Sequence, residues 1–278
     1  MRITNNYNLP PAIYNALSFN YPPKPDRFSA TDLIGPPLIR QLKIKHWEEL
    51  VEDASERLWA LLGQGVHAAL DKHADPDSFA EEKLEIPYKG KVIVCKSDNW
   101  KDKKISDYKV TSVYSFLLGE KKDWSNQLNL YAWAWRQKGF ETEEAEINAI
   151  LRDWQKSKAI TPDYPAVPFE NVKIAIWTDE EQEKYIADRF LLHTTEAKEC
   201  LPEEKWQTQT SYAIMKKGRK KAMRVLYSLP EAEGYCKQNG GSEVIERIGE
   251  CKRCKNYCPV RGVCPYNIYK GHTEEETE

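Results

Sequence analysis

The chain has 278 residues, 41% hydrophobic and 30% charged, with a formal net charge of −2, a balance typical of a globular protein with one core or a core plus an annex. No apolar run reaches the ~20 residues that span a bilayer, which excludes an integral helical membrane protein. A charge so close to zero excludes polyanion binding through the overall field and leaves that role to local lysine patches.

Along the chain, MRITNNYNLPPAIYNALSF lacks the basic-then-apolar layout of a secretory signal, so a cytoplasmic location is expected. Residues 1–36 hold six of the sixteen prolines and read as an extended arm. A helical pattern follows over roughly 38–73, with Leu58, Leu61, Leu62, Val66, Ala69 and Leu70 on one apolar stripe. In LEIPYKGKVIVCKSD the Lys89-Gly90 pair separates two short strands, with Cys95 in the core. KVIVCKSD, the polar tip NWKDKK and ISDYKV predict a β-hairpin. A second helix begins near Asp123 or Ser125 and stops at Gly139; AEINAILRDW and VKIAIW then read as strands. From Asp179 onward the pattern is mainly helical and then cysteine-rich. The order predicts an α/β fold, with a central mixed sheet flanked by helices and a C-terminal extension. The expected division is an arm (1–36), a core (37–178) and a helical, cysteine-rich region (179–278).

The hairpin carries the chemistry. Side chains alternate faces along a strand, so Ile105, Asp107 and Lys109 share one face, and Asp98 ends the strand before the tip. Two carboxylates held that close repel unless a cation lies between them. A hard divalent ion such as Mg²⁺ or Mn²⁺ suits oxygen ligands, and Lys109 can orient a water or stabilise a phosphoryl oxygen. Asp-x-Lys alone is a common surface ion pair. Three clusters offer basic surface: Lys101, Lys103 and Lys104; Lys121 and Lys122; and Lys216, Lys217, Arg219, Lys220 and Lys221. Trp100 and Trp124 flank the hairpin and are candidate DNA contacts, whereas core packing is expected of at least one of Trp133 and Trp135. No Gly-x-x-x-x-Gly-Lys loop supports an ATPase.

Taken in order, Gly63-x-x-x-His67, Asp98, Asp107-Tyr108-Lys109 and Gln127-x-x-x-Tyr131 resemble the PD-(D/E)xK nuclease superfamily, in its RecB-like and phage-type exonuclease branch. The likeness covers roughly residues 55–135, with Ser97 where a proline often precedes the first aspartate. The resemblance implies a restriction-endonuclease-like core. It makes His67, Asp98, Asp107 and the Val110 carbonyl ligands of Mg²⁺ or Mn²⁺, and Lys109 the catalytic lysine. Gln127 and Tyr131 position the scissile phosphate or neighbouring DNA, and Glu82 is the candidate for an acidic residue this branch often carries ahead of the hairpin. The implied reaction is in-line hydrolysis of a DNA phosphodiester, in phage or bacterial recombination and processing. The same core and cysteine trio also occur in CRISPR-adaptation nucleases that trim spacer precursors. A rival of another class is a DNA-binding scaffold without activity.

Four of the seven cysteines fall in ECKRCKNYCPVRGVCPYN: Cys251, Cys254, Cys258 and Cys264. Such crowding in a reducing compartment implies a soft metal centre, iron–sulfur or zinc. The resemblance favours a 4Fe-4S cluster on the trio Cys254, Cys258 and Cys264, completed by a distant cysteine. No cysteine precedes Cys95, and Pro36 and Pro37 stand where that ligand would be expected, so Cys200 is the chosen fourth ligand and Cys251 its rival. Cys236 has no partner pattern. His272 lies in an acidic tail expected to be disordered.

Overall fold

The computed structural model describes residues 1–117 and 122–269; Lys121 and His272 lie outside them. The chain divides into two compact units, Met1–Ala197 and the segment from Lys198 onward.

The first unit is mixed α/β. Its elements are β1 (Arg2–Thr4), α1 (Pro11–Leu17), β2 (Arg27–Ser29), α2 (Ala30–Ile34), α3 (Pro37–Lys45), β3 (Val51–Asp53), α4 (Leu58–Lys72), β4 (Phe79–Ala80), β5 (Lys83–Tyr88), β6 (Lys91–Lys96), β7 (Asn99–Lys101), β8 (Lys104–Thr111), α5 (Val113–Leu117), α6 (Lys122–Gln137), β9 (Glu144–Leu151), β10 (Phe169–Ile174) and α7 (Asp179–Thr194). A five-stranded sheet runs β10-β9-β8-β7-β4, with β8 and β9 parallel and the other pairs antiparallel. A three-stranded mixed sheet runs β2-β6-β5, and β1 pairs with β3.

Between the sheets' inner faces lies α6, buried at every position from Leu128 to Trp135, which is how a helix apolar all round is accommodated. Trp133 and Trp135 are both core residues, and Trp100 stacks on Trp135 at 5.1 Å with 28° between the rings. Each indole N–H finds an acceptor, Glu183 at 2.8 Å and Ser97 at 3.0 Å. The one polar residue in this stretch, Asn129, donates to the Ser125 and Ala175 carbonyls and accepts from Trp177 N–H, so its burial leaves nothing unpaired.

Several expectations are corrected. Residues 1–36 are folded into the unit: Phe28 and Leu33 are core, β2 pairs in parallel with β6, and Ser29 and Asp32 form a capping box at α2. The buried Arg40 guanidinium ties this segment down through the Lys24 and Arg27 carbonyls, at 2.7 and 3.0 Å. The single helix expected over 38–73 is broken between α3 and α4. There the Asp53 carboxylate accepts from Asn6 N–H at 2.8 Å and Ser55 N–H at 3.0 Å, and these bonds hold it well below the usual carboxylate range. α4 packs on α1 and β8, but its expected apolar stripe is not a core face: Leu58, Leu62 and Ala69 are exposed and no residue of the helix is fully buried. The β6 strand leaves the expected hairpin and pairs with β5 through a Lys89-Gly90 turn at positive φ. The hairpin proper is β7–β8, turned by Asp102 and Lys103 at φ 49° and 62°.

The second unit is not mainly helical. It holds an antiparallel sheet of β11 (Ser211–Met215), β12 (Arg224–Leu226) and β13 (Glu243–Arg247), ordered β12-β11-β13, with one α-helix, α8 (Leu229–Gln238), and a π-helical turn at Arg253–Tyr257 among its described residues. The cysteine and charge content masked three short strands whose alternation is weak, and α7 belongs to the first unit. No helix among the described residues is long and apolar enough to cross a membrane.

Candidate metal and catalytic site

Sheet register builds the site. Asn99 pairs with Ser106, so Asp98, just ahead of β7, lies across from Asp107. Its Oδ2 accepts the Tyr108 N–H at 2.7 Å, which fixes the carboxylate on the hairpin. On α4, His67 Nδ1 comes to 3.3 Å from Asp98 Oδ1 and 3.4 Å from Glu81 Oε1. One ligand atom from each of His67, Glu81 and Asp98 falls within 4.8 Å of the others. The two carboxylates raise the His67 pKa to about 9, the Asp98 hydrogen bond contributing most.

Glu81 is the residue the sequence did not single out. Glu82, the expected acid, is exposed; its neighbour turns inward. Glu81 sits at φ 51°, a strained conformation for a non-glycine residue, and is held there by its N–H on the Asp98 carbonyl at 2.9 Å. Lys96 pairs with its other oxygen. A β-bridge of only two residues, Phe79–Ala80, brings it to the site, too short a strand to leave a periodic signal.

Asp107 is buried to 1% exposure, and Lys109 Nζ lies 2.6 Å from its Oδ2. This ion pair is the partner of the buried oxygen, which no other donor reaches. Burial, and secondarily the Asp98 charge, push the Asp107 pKa up against the pull of Lys109. Lys109 donates to Gln127 Oε1 at 3.1 Å, and Gln127 Nε2 donates to the Tyr131 hydroxyl at 2.7 Å. Tyr131 is buried, so the i, i+4 pair on α6 stands behind the lysine and fixes its reach. Val110 is held in the β8–β9 ladder opposite Ile150.

The donors that converge, the His67 imidazole and the Glu81 and Asp98 carboxylates, suit Mg²⁺ or Mn²⁺, with Asp107 buried beside them. His67, Glu81 and Lys96 line an open cleft of about 500 Å³ that gives access to the group.

The expected basic patch on the hairpin is neutralised. Lys101 pairs with Asp75, Lys103 with Glu141 and Glu143, and Lys104 with Glu146. Lys216, Lys217, Arg219, Lys220 and Lys221 are exposed on the β11–β12 turn. Trp124 is partly buried against the core.

In the second unit, burial of Cys200 and then the charges of Glu204, Cys258, Cys264 and Cys254 raise its pKa to about 12. The Cys254 thiol is raised by burial, then by Cys258 and Cys251. The five thiols form one electrostatic group; Cys95 is alone in the core of the first unit.

No protein-family model matches the chain, and no curated protein does. Seven chains of known structure match. One is the crystal structure of SSO0001, 18% identical, covering 65% of this chain and 82% of its own, with a TM-score of 0.44.

Proposed function

We propose that the chain is a Mg²⁺- or Mn²⁺-dependent DNA nuclease of the PD-(D/E)xK kind, with a restriction-endonuclease-like core in its first unit. The observation that carries the reading is the convergence of His67, Glu81 and Asp98 on one point beside a buried Asp107–Lys109 pair. In the apo protein the two carboxylates facing His67 hold a proton on its imidazole, and a divalent cation would replace that proton as their counter-charge. A bound divalent ion would act as a Lewis acid on the phosphodiester and lower the pKa of an attacking water. Lys109, held by Gln127 and already beside Asp107, stabilises charge developing on the phosphoryl oxygens. An exonuclease of phage or bacterial DNA processing is the form proposed, acting from the open cleft.

The second unit is proposed to hold a 4Fe-4S cluster on Cys200, Cys254, Cys258 and Cys264. Thiols that raise one another's pKa are unfavourable neighbours until an electropositive core binds them as thiolates. Cys200 feels all three members of the trio and Cys254 feels Cys251, so the choice of Cys200 rests on the resemblance and Cys251 stays its rival. A brown protein absorbing near ~400 nm is expected, where zinc would leave it colourless.

The test is degradation of end-labelled linear and circular DNA with Mn²⁺ or EDTA, by the protein and by Asp107→Ala and Lys109→Ala. Metal-dependent cleavage lost in both variants is expected. Cleavage that survives both overturns the site, and DNA binding with no cleavage in any preparation leaves the scaffold reading.

A further inference from the structure

The metal group accounts for one end of α4. The other end carries Trp59, 66% exposed, with the Arg152 guanidinium 4.3 Å from its ring centroid. We infer that Trp59 and Arg152 form a stacking subsite for one nucleobase of a single DNA strand whose scissile phosphate lies at the metal group. The inference takes the identity of its ligand from the nuclease reading and adds where the strand goes.

Both partners are tied to the elements that bear the catalytic side chains. Trp59, Gly63 and His67 follow at four-residue intervals along α4, so they form one row along the helix edge. Arg152 follows β9 directly, and its N–H bonds the Thr111 carbonyl at the end of β8 at 2.9 Å, two residues beyond Lys109. The two paths agree in length. Eight residues of helix from His67 to Trp59 rise about 12 Å, and four residues of strand from Asp107 to Thr111 rise about 13 Å. At about 3.4 Å per stacked nucleotide, that places the indole three to four nucleotides from the metal group.

Between them the helix edge is bare. A Cβ on Gly63 would meet nothing within 4 Å, so no contact inside the protein requires glycine there. A glycine inside a helix costs about 1 kcal/mol relative to alanine, and an approaching phosphate backbone is a reason to keep one. The subsite's chemistry suits a nucleobase. The guanidinium lies against the indole and the residue is still 66% exposed, which leaves ring surface open to a π-system of any sequence.

The experiment measures binding of fluorescein-labelled single-stranded octanucleotides in Ca²⁺ by anisotropy, with one abasic position moved along the strand. Mn²⁺ cleavage kinetics are run in parallel. The intact protein should lose roughly tenfold in affinity when the abasic position is the third or fourth nucleotide from the scissile phosphate. Trp59→Ala should erase that dip and raise KM roughly tenfold with kcat unchanged, and Trp59→Phe should restore both. A flat scan in the intact protein, or a dip that persists in Trp59→Ala, overturns the subsite while cleavage leaves the nuclease reading standing. So does a Trp59→Ala protein that only melts lower with KM unchanged, since that outcome makes the pair a brace for α4. A dip without cleavage keeps the subsite and sinks the nuclease reading; no DNA binding at all sinks both.

Discussion

The carboxylate group of the first unit and the thiol group of the second are both crowds of ligands that repel one another when ionised, yet they are held by different means. Asp98 and Asp107 are placed by the β7–β8 register, and Lys109 by Gln127 and Tyr131 on a buried helix. The four proposed cluster ligands lie outside the β-ladders: Cys254 in a single turn, Cys200, Cys258 and Cys264 in irregular chain. The ladder can carry its site without an ion, at the cost of a strained Glu81 and a buried Asp107 carboxylate. The loops are held by scattered bonds instead, such as Arg253 to the Glu204 and Lys205 carbonyls and Asn267 to the Arg261 carbonyl. Removing metal should therefore cost the first unit its activity and the second its fold.

The largest effect is expected in the second unit. A structural metal centre contributes about 10 kcal/mol or more to folding, as large as the whole stability of a small domain. Cys254→Ala or Cys258→Ala should abolish the ~400 nm band and make the chain from Lys198 onward protease-sensitive, with Met1–Ala197 recovered intact. Cys200→Ser should do the same and Cys251→Ser should not. If the colour goes and the protease pattern does not change, the proposed dependence of this fold on its metal is wrong.

In the first unit the corresponding changes should separate activity from stability. Lys109→Ala and Asp107→Asn should each lower cleavage by about a thousandfold or more. The folded-state pKa of Asp107 is raised, so at neutral pH its charge is a liability to the apo protein. Asp107→Asn should consequently melt about 2–4 °C higher in EDTA. A variant that melts lower would show that the carboxylate supports the fold, and the contrast between the two regions would lose its basis.

How much of this was legible in the sequence follows the same physics. Strands and helices with strong periodicity or a turn signal were readable: the Lys89-Gly90 turn, α6 up to Gly139, and Asp107 and Lys109 on one strand face. Pairing partners were not, because alternation says which face a residue takes and not which strand lies beside it. Hence the pattern suggests β8 as the partner of β6, which lies between β5 and β2. Glu81 was missed because its φ reverses the face expected from its neighbours, and the lysines of the hairpin because their acidic partners are distant in sequence. The N-terminal segment departs from its sequence pattern for a related reason. Its prolines suggest an extended chain, while Arg40 and the α2 capping box fold it back.

A scaffold that keeps its site without metal should also have a pH limit set away from the ligands. His193 on α7 is buried against Phe28, Arg189 and Arg40, with Asp32 the acid within electrostatic reach; its Nδ1 has no hydrogen bond. Burial, and then the two guanidinium groups, lower its pKa to about 4. The unfolded chain binds this proton near pH 6.5, so between about 6.5 and 4 the unfolded state takes up protons that the native state refuses. Stability from this group is complete above pH 6.5 and falls away below it, by about 3 kcal/mol in all. Melting curves in EDTA should show the loss, and His193→Gln should flatten it. A slope unchanged in the variant would assign acid sensitivity to the site itself.

The smallest expected effect tests the strain directly, because Glu81 has two separable properties, a charge and a backbone at φ 51°. Glu81→Gln keeps the strained backbone and removes the charge facing His67, so Mn²⁺ affinity by calorimetry should fall roughly tenfold. Glu81→Gly removes the ligand and the conformational penalty together. Mn²⁺ affinity should fall by a similar factor, while the melting temperature in EDTA rises, since glycine adopts positive φ freely. The rise should be about 2–4 °C, corresponding to about 1 kcal/mol of relieved strain offset in part by the greater freedom of an unfolded glycine. Two variants equal in affinity and different in stability are what a preformed site requires: the ladder and the Asp98 carbonyl hold Glu81 in a costly conformation whether or not an ion is present. If both melt alike, the turn at Glu81 is relaxed, and the first unit depends on its metal as the second is proposed to do.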